Sequence, residues 1–382
     1  MELCGLILRY LLFISICTIF FTVEVLAEKD SVIDLIPRSK EDFGLTNLFN
    51  DVNQSVVQVS PAVSTSIRSS IGSGFIYDNL GHIVTSYHVV ADPQERQIIN
   101  LSNQDFHITF IDGTKFIGRV VGADLYSELA VIKVENITGK ILLPLLLGNS
   151  SQLRIGQHVL AVGNPFGVSM TEGIVSGFGS ISSSSVPQDF SRVRGTQSFL
   201  IPNLVHTDAA INRGNSGGPL LNDAEEVIGM ISSTFSNTGE YEGIGSAIPS
   251  DIIKKVVPEL IATGTYRHPY IGIAGVDMSP EIAQQMGLND SRGFLVTEVT
   301  IGSPAEKSGI RGGRALEDIN GRQIELGGDV IVAVNNVTVR NIEDLLSYLQ
   351  SERSVGDTVI LKVSRDGKME EIALMIATRP AP

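Results

Sequence analysis

Between residues 56 and 249 apolar residues come in short runs separated by glycines and polar turns, the spacing of β-strands. Residues 74–77 and 82–85 flank Asp78-Asn79-Leu80-Gly81, a hairpin signature. Residues 106–110 and 115–121 flank Asp112-Gly113, a dipeptide favoured in tight hairpin turns. Runs at 129–134, 158–162, 173–181, 198–205 and 227–232 extend the series. Short strands with little helix predict a mainly β domain, an antiparallel barrel or sandwich. The serine-rich stretch from Ser180 to Gln197 reads as a loop. A helix is predicted over 250–264, with Ser250 as its N-cap, apolar residues at 252, 253, 256, 257, 260 and 261, and a bend at Pro258.

Past residue 270 the pattern changes. Short apolar runs at 270–274, 293–299, 330–334, 358–363 and 371–376 alternate with helical stretches near 303–308 and 341–349. Ile342, Leu345, Leu346 and Leu349 fall on one helix face, which is expected to cover a sheet. A first domain over 43–265 and an α+β domain over 266–380 follow, the second large enough for its own core.

Ahead of both, residues 28–42 are polar and aperiodic and read as a linker, followed by a short helical stripe of Leu45, Leu48, Phe49 and Val52. Residues 1–27 hold an apolar block from Tyr10 to Val23, preceded by Arg9 and followed by Val25-Leu26-Ala27. That is the shape of a secretory signal, and it is shorter than the ~20 residues of a usual membrane span. Counting back across Arg9 to Leu3 makes it long enough for a membrane anchor with a snorkelling arginine. Both readings, secreted or anchored, export the rest of the chain.

Composition narrows the classes. With 382 residues, 43% hydrophobic and 18% charged, the chain is globular. A net charge of −14 argues against a general nucleic-acid binder, which needs clustered Lys and Arg. Both cysteines, Cys4 and Cys17, lie in the N-terminal block, so the folded part has no thiolate to offer a metal. No His-Glu-x-x-His pair occurs, and neither metal nor other cofactor is inferred.

The stretch with chemical content is Asn212-Arg213-Gly214-Asn215-Ser216-Gly217-Gly218-Pro219-Leu220. Glycines around a serine permit unusual backbone torsions and let a substrate approach the main chain. Such a loop suits a nucleophilic hydroxyl with backbone N–H groups aimed at a developing oxyanion. The same residue types also make ordinary surface turns. A nucleophile needs a base, and His82, His88, His107, His158 and His206 all precede Ser216 without spacing that ranks them.

Resemblance ranks them. Thr85-Ser86-Tyr87-His88-Val89-Val90, Ser127-Glu128-Leu129-Ala130-Val131, the stretch from Thr207 to Leu220 and Gly243-Ile244-Gly245-Ser246-Ala247-Ile248-Pro249 resemble the HtrA (Deg) family of serine proteases, in that family's order and spacing. Tyr270-Ile271-Gly272-Ile273 resembles the carboxylate-binding loop of a PDZ domain. The likeness covers roughly residues 43–378. It implies a chymotrypsin-like pair of six-stranded antiparallel barrels followed by one PDZ domain. His88 would be the general base, Ser216 the nucleophile, and the N–H groups of Gly214 and Ser216, with Asn215 between them, the oxyanion hole. The family's third position is Asp, and here it is Glu128, which keeps the charge and adds a methylene. Asp124, four residues upstream, is the other candidate acid. Arg213 stands where the family usually has proline, which frees the oxyanion loop to switch between competent and collapsed forms. Ala210, six residues before Ser216, lies at the base of the primary pocket in such folds. Without an acid there the pocket favours small or medium aliphatic side chains, walled by Ile231, Ser232 and Ser233.

The resemblance further implies an ATP-independent endopeptidase of unfolded or damaged proteins, a homotrimer packed through 43–52, and peptide C-termini bound in the PDZ groove. Regulation would pass through the loop at 180–197, with Arg192 and Arg194 as relays. The stretch 314–326 is longer than the turn usual at that place. The alternative reading, raised by Glu128 and Arg213, is a protease-fold chaperone or peptide-binding module with little turnover.

Overall fold

The computed structural model describes residues 40–62, 71–91, 104–137, 139–165, 167–182, 200–232 and 243–380. The N-terminal block, Ser233 and most of the loop at 180–197, with Arg192 and Arg194, lie outside them. The first described element is helix α1 (Lys40–Val52), in which Leu48 and Val52 are the buried members of the predicted stripe.

Strands β1 (Val56–Pro61), β2 (Gly72–Ile76), β3 (His82–Ser86), β4 (Asp105–Thr109), β5 (Lys115–Asp124) and β6 (Leu129–Val134) close into a barrel in the order β1-β2-β3-β6-β5-β4. Alternation builds it: along β4 Phe106 and Ile108 point inward and join Val57, Val59, Ile83 and Ile132 in the core. Strands β2 and β3 break the alternation and are buried throughout, because their outer face meets the second barrel. That barrel is β7 (His158–Gly163), β8 (Ser169–Ser182), β9 (Leu200–Thr207), β10 (Pro219–Leu221), β11 (Val227–Ile231) and β12 (Gly245–Pro249), closed in the order β10-β11-β12-β9-β8-β7. Its core includes Val159, Val175, Val205, Leu220, Ile228 and Ile231. This is the expected chymotrypsin-like double barrel. The one-turn helix α2 (Tyr87–Val90) directly follows β3.

Helix α3 (Ser250–Thr263) closes the first domain, with Ile253, Val256, Val257 and Leu260 buried. It lies so close to β5 that a Cβ on Gly122 would stand 2.3 Å from the Leu260 carbonyl oxygen, so a glycine is required there. One expectation needs correction. Ser250 is the first helical residue and not the cap; the cap is Pro249, and the Ser250 hydroxyl donates instead to the Gly148 carbonyl at 2.7 Å. The helix continues through Pro258 as one element to the left-handed Gly264.

The second domain begins with β13 (Pro269–Tyr270), which pairs with the last strand, β22 (Ala377–Thr378). Its main sheet runs β14 (Ile273–Asp277), β15 (Phe294–Val299), β18 (Val330–Val334), β20 (Thr358–Arg365) and β21 (Lys368–Met375), with β19 (Val337–Thr338) beside β18. Short helices α4 (Pro280–Gln285) and α5 (Pro304–Lys307) start on Ser279 and Ser303 caps. Helix α6 (Ile342–Glu352) starts on Asn341, whose side chain accepts from the Asp344 N–H, and buries Leu345 and Leu349. The long stretch at 314–326, for which the sequence suggested no structure, holds a hairpin of β16 (Ala315–Ile319) and β17 (Arg322–Leu326). Asn320 and Gly321 have φ of 54° and 82°, the backbone of a two-residue primed turn.

One buried ion pair ties this domain. Asp329, fully buried, accepts from Arg365 Nε and Nη2 at 2.8 and 2.7 Å and from the Arg311 N–H at 2.8 Å. Removing one partner of such a pair leaves an uncompensated charge. We expect Asp329→Ala to lower unfolding free energy by about 3–5 kcal/mol in urea melts; a loss under about 1 kcal/mol contradicts that role.

Candidate active site

Three segments meet where the barrels touch. Pairing of β3 with β6 sets Ser86 opposite Leu129. Helix α2, carrying His88, therefore begins beside Glu128, and the Tyr87 N–H donates to the Glu128 carbonyl at 3.0 Å. Glu128 Oε1 lies 2.6 Å from His88 Nδ1 and 3.1 Å from the His88 N–H. One oxygen thus accepts from both the ring and the main chain of His88. A carboxylate accepts only, so Nδ1 carries the proton and Nε2 keeps its lone pair. The Glu128 side chain is 1% exposed and that of His88 18%, leaving the imidazole alone reachable. Glu128 has φ 61°, a left-handed backbone that costs a residue with a Cβ about 1–3 kcal/mol and persists only where the surroundings hold it.

The other candidate acid, Asp124, makes no such contact: its oxygens go to Tyr126, Ser127 and His268. The remaining histidines are elsewhere. His82 bonds Asp78, His158 bonds Asp223, and His206 bonds Ser246.

Ser216 is buried in a tight loop between β9 and β10. The loop closes on itself through Asn215 N–H to Asn212 at 3.1 Å and Gly218 N–H to Asn215 at 2.9 Å. Gly214 and Gly217 have φ of 93° and 88°. At Gly217 a Cβ would stand 2.1 Å from the Ser73 carbonyl oxygen and 2.4 Å from Thr85 Oγ1, so the serine loop reaches the first barrel only because this residue has none.

Ser73, on β2, is the residue that sequence reasoning missed. Its N–H donates to the Ser216 carbonyl at 2.8 Å, and its hydroxyl donates to the Gly214 carbonyl at 2.6 Å. The same hydroxyl accepts from the Asn164 N–H at 2.7 Å, and the Ser73 carbonyl accepts from Thr85 Oγ1 at 2.6 Å. Gly72-Ser73-Gly74 was the available signal: a polar residue between two glycines inside an apolar strand marks a close backbone approach.

The residues expected at the primary pocket lie in or beside the second barrel. Ala210 is half-buried, and its carbonyl accepts from Thr171 Oγ1 at 2.9 Å. Ile231 puts its side chain in the barrel core and offers its carbonyl to Gly217 N–H at 2.8 Å. Ser232 is buried next to it. Ile211 packs in the barrel core beside Gly245, where a Cβ would be 2.3 Å from its Cδ1. In the second domain Gly272 has φ 82°, and the loop from Tyr270 to Ile273 is held by Thr300 N–H to Gly272 at 3.0 Å and Ala305 N–H to Ile271 at 2.9 Å. Strand β14, which follows it, is an edge of the sheet.

Comparison with known proteins agrees with this fold. A family described as "Trypsin-like peptidase domain" matches residues 72–230, and one described as "PDZ domain" matches 269–376. The fold is that of a trypsin-like serine peptidase domain carrying one PDZ domain. A "Probable periplasmic serine endoprotease DegP-like" of Chlamydia muridarum is 37% identical over 313 residues, 81% of this chain and 54% of the relative. "Protease Do-like 1, chloroplastic" of Arabidopsis thaliana is 35% identical over 313 residues, 81% of this chain and 64% of that one. The solved "HtrA-type protease AlgW with tripeptide" superposes with a TM-score of 0.66 at 28% identity, covering 88% of this chain and 98% of that one. The chain belongs to the HtrA family. It spans about half the length of the first of these curated relatives.

Ser73 gives a direct test of how the barrels are joined. Ser73→Ala strips partners from two main-chain groups, so we expect about 1–3 kcal/mol of lost stability in urea melts; a loss below about 0.5 kcal/mol contradicts the role given to it.

Proposed function

We propose that this chain is an exported, ATP-independent serine endopeptidase that degrades unfolded or damaged proteins, with His88 as base, Glu128 as orienting acid and Ser216 as nucleophile. The observation that carries the reading is the 2.6 Å bond from His88 Nδ1 to the buried Glu128 carboxylate. It holds the tautomer whose Nε2 can take the Ser216 proton, and it stabilises the imidazolium that forms. Ser216 Oγ attacks the peptide carbonyl, and the N–H groups of Gly214 and Ser216, with Asn215 between them, receive the oxyanion. Protonated His88 then gives its proton to the leaving amine. Water, deprotonated by the same imidazole, releases the acyl group from Ser216 and restores the enzyme.

Glu128 in place of Asp fits this role because its longer side chain still reaches Nδ1. A primary pocket based at Ala210, with no acid there, favours small or medium aliphatic side chains, which unfolded proteins expose. The edge strand β14 can accept an extended peptide C-terminus as an added strand, with its carboxylate at the Tyr270–Ile273 loop. Export is supported by the apolar N-terminal block and by the word periplasmic in a relative's name. A homotrimer joined through 43–52 completes the proposal.

The test is casein digestion together with labelling by a fluorophosphonate probe. Wild type should cleave and label, Ser216→Ala should do neither, and Glu128→Gln should lose about three to four orders of magnitude in kcat. Casein left intact and a probe that does not bind identify the peptide-binding alternative instead.

A further inference from the structure

The turn that presents Glu128 is folded around a second buried carboxylate. Asp124, the last residue of β5, accepts through Oδ2 from the Ser127 N–H at 2.9 Å and from the Ser127 hydroxyl. Its Oδ1 accepts from the Tyr126 N–H at 3.3 Å. These bonds close residues 124–127, and the chain then leaves through the left-handed Glu128 into β6.

The same Asp124 Oδ2 accepts a 2.8 Å bond from His268 Nε2, and both side chains are buried. His268 belongs to the connection between α3 and β13, on the far side of the sequence. Its ring stands edge-on to Tyr126 and Tyr266, with centroids 5.2 and 4.8 Å away. Its carbonyl accepts from the Arg379 N–H at 2.9 Å, and the Arg379 guanidinium lies 4.6 Å over the Tyr126 ring. Burial pushes the Asp124 carboxyl upward, but the charge of His268 and the bonds from His268 and Ser127 outweigh it and hold the carboxyl below its usual range. An ionised Asp124 is the stronger acceptor for the turn.

We propose that His268 is a positioning residue for catalysis: by bonding Asp124 it holds the 124–128 turn in the form that delivers Glu128 to His88. The proposal rests on the reading of Glu128 as the orienting acid. A left-handed Glu128 stays strained only while its turn is held. Without His268, Asp124 keeps its local bonds but loses the Nε2 donor that ties it to the connection between α3 and β13, and the turn relaxes. A displacement of Glu128 by about 1 Å is enough to cost orders of magnitude in rate. His268 does not touch substrate, so its loss should act on the chemical step and spare binding. Because the connection to the PDZ domain supplies this brace, the path of the chain between the domains becomes part of the active site's support.

Full-length His268→Phe, His268→Gln and Glu128→Gln should be compared with wild type on a fluorogenic peptide, with folding checked by circular dichroism and fluorophosphonate labelling rates measured alongside. Phe keeps the ring among the tyrosines and removes only the N–H donor. It should lower kcat and the labelling rate together by at least about tenfold, with KM changed less than about twofold. Gln, which can place a donor where Nε2 stands, should recover most of the loss. Unchanged kcat in a folded His268→Phe enzyme, or a Gln variant as slow as Phe, overturns the brace. If Glu128→Gln is inactive in the same series, the reading of Glu128 survives that failure; if it is fully active, both readings fall. Should the Phe variant not fold, Asp124→Asn takes its place, and unchanged kcat there overturns the proposal equally.

Discussion

The site depends on one set of hydrogen bonds across the face where the two barrels meet. Through its N–H and its hydroxyl, Ser73 on β2 holds the carbonyls of Ser216 and Gly214. The proposed chemistry draws on both barrels: His88 and Glu128 belong to the first, and the Ser216 loop to the second. Main-chain and hydroxyl groups buried between two cores must pair with each other, since leaving one unpaired costs about as much as a good contact contributes. The barrels are thereby held in one register, and the serine loop follows it.

Glycine makes that approach sterically feasible. The loop comes so near the first barrel that Gly217 has no space for a Cβ, and Gly218 is as tightly placed against the Val162 carbonyl, 2.1 Å from where one would lie. Glu128 answers the same demand differently. It accepts a strained backbone, and the cost is offset by its buried bonds to His88 and by the Asp124 turn before it. Around the site, then, one residue takes a strained backbone and two glycines make space, while outer strands such as β4 alternate in the ordinary way.

Most of the double barrel was legible because its strands alternate and its hairpins carry Gly-containing turns. Strand β6 was read with its observed ends, since both of its faces are apolar and both of its flanks polar. Strands β10 and β12 were not resolved as separate runs, because three- and five-residue segments beside the glycine loops lack a period of their own. The hairpin at 315–326 hid for a different reason: nearly every residue of β16 is exposed, so no buried face imprinted an alternation, although Asn320-Gly321 marked the turn. At the site, the pairing of His88 with Glu128 came from resemblance, as spacing alone left five histidines level. Ser73 and the contact of His268 with Asp124 join residues over ninety positions apart and leave no periodic trace in the sequence.

The central claim is that the hydroxyl of Ser216 and the imidazole of His88 act on one substrate atom. A crystal structure of the chain inactivated by a peptidyl phosphonate measures this most directly. The account predicts phosphorus bonded to Ser216 Oγ, its oxygen accepting from the N–H groups of Gly214 and Ser216, and His88 Nε2 within about 3 Å of the adduct. An adduct on another residue, or His88 turned away from Glu128 and out of reach of the phosphorus centre, would contradict it.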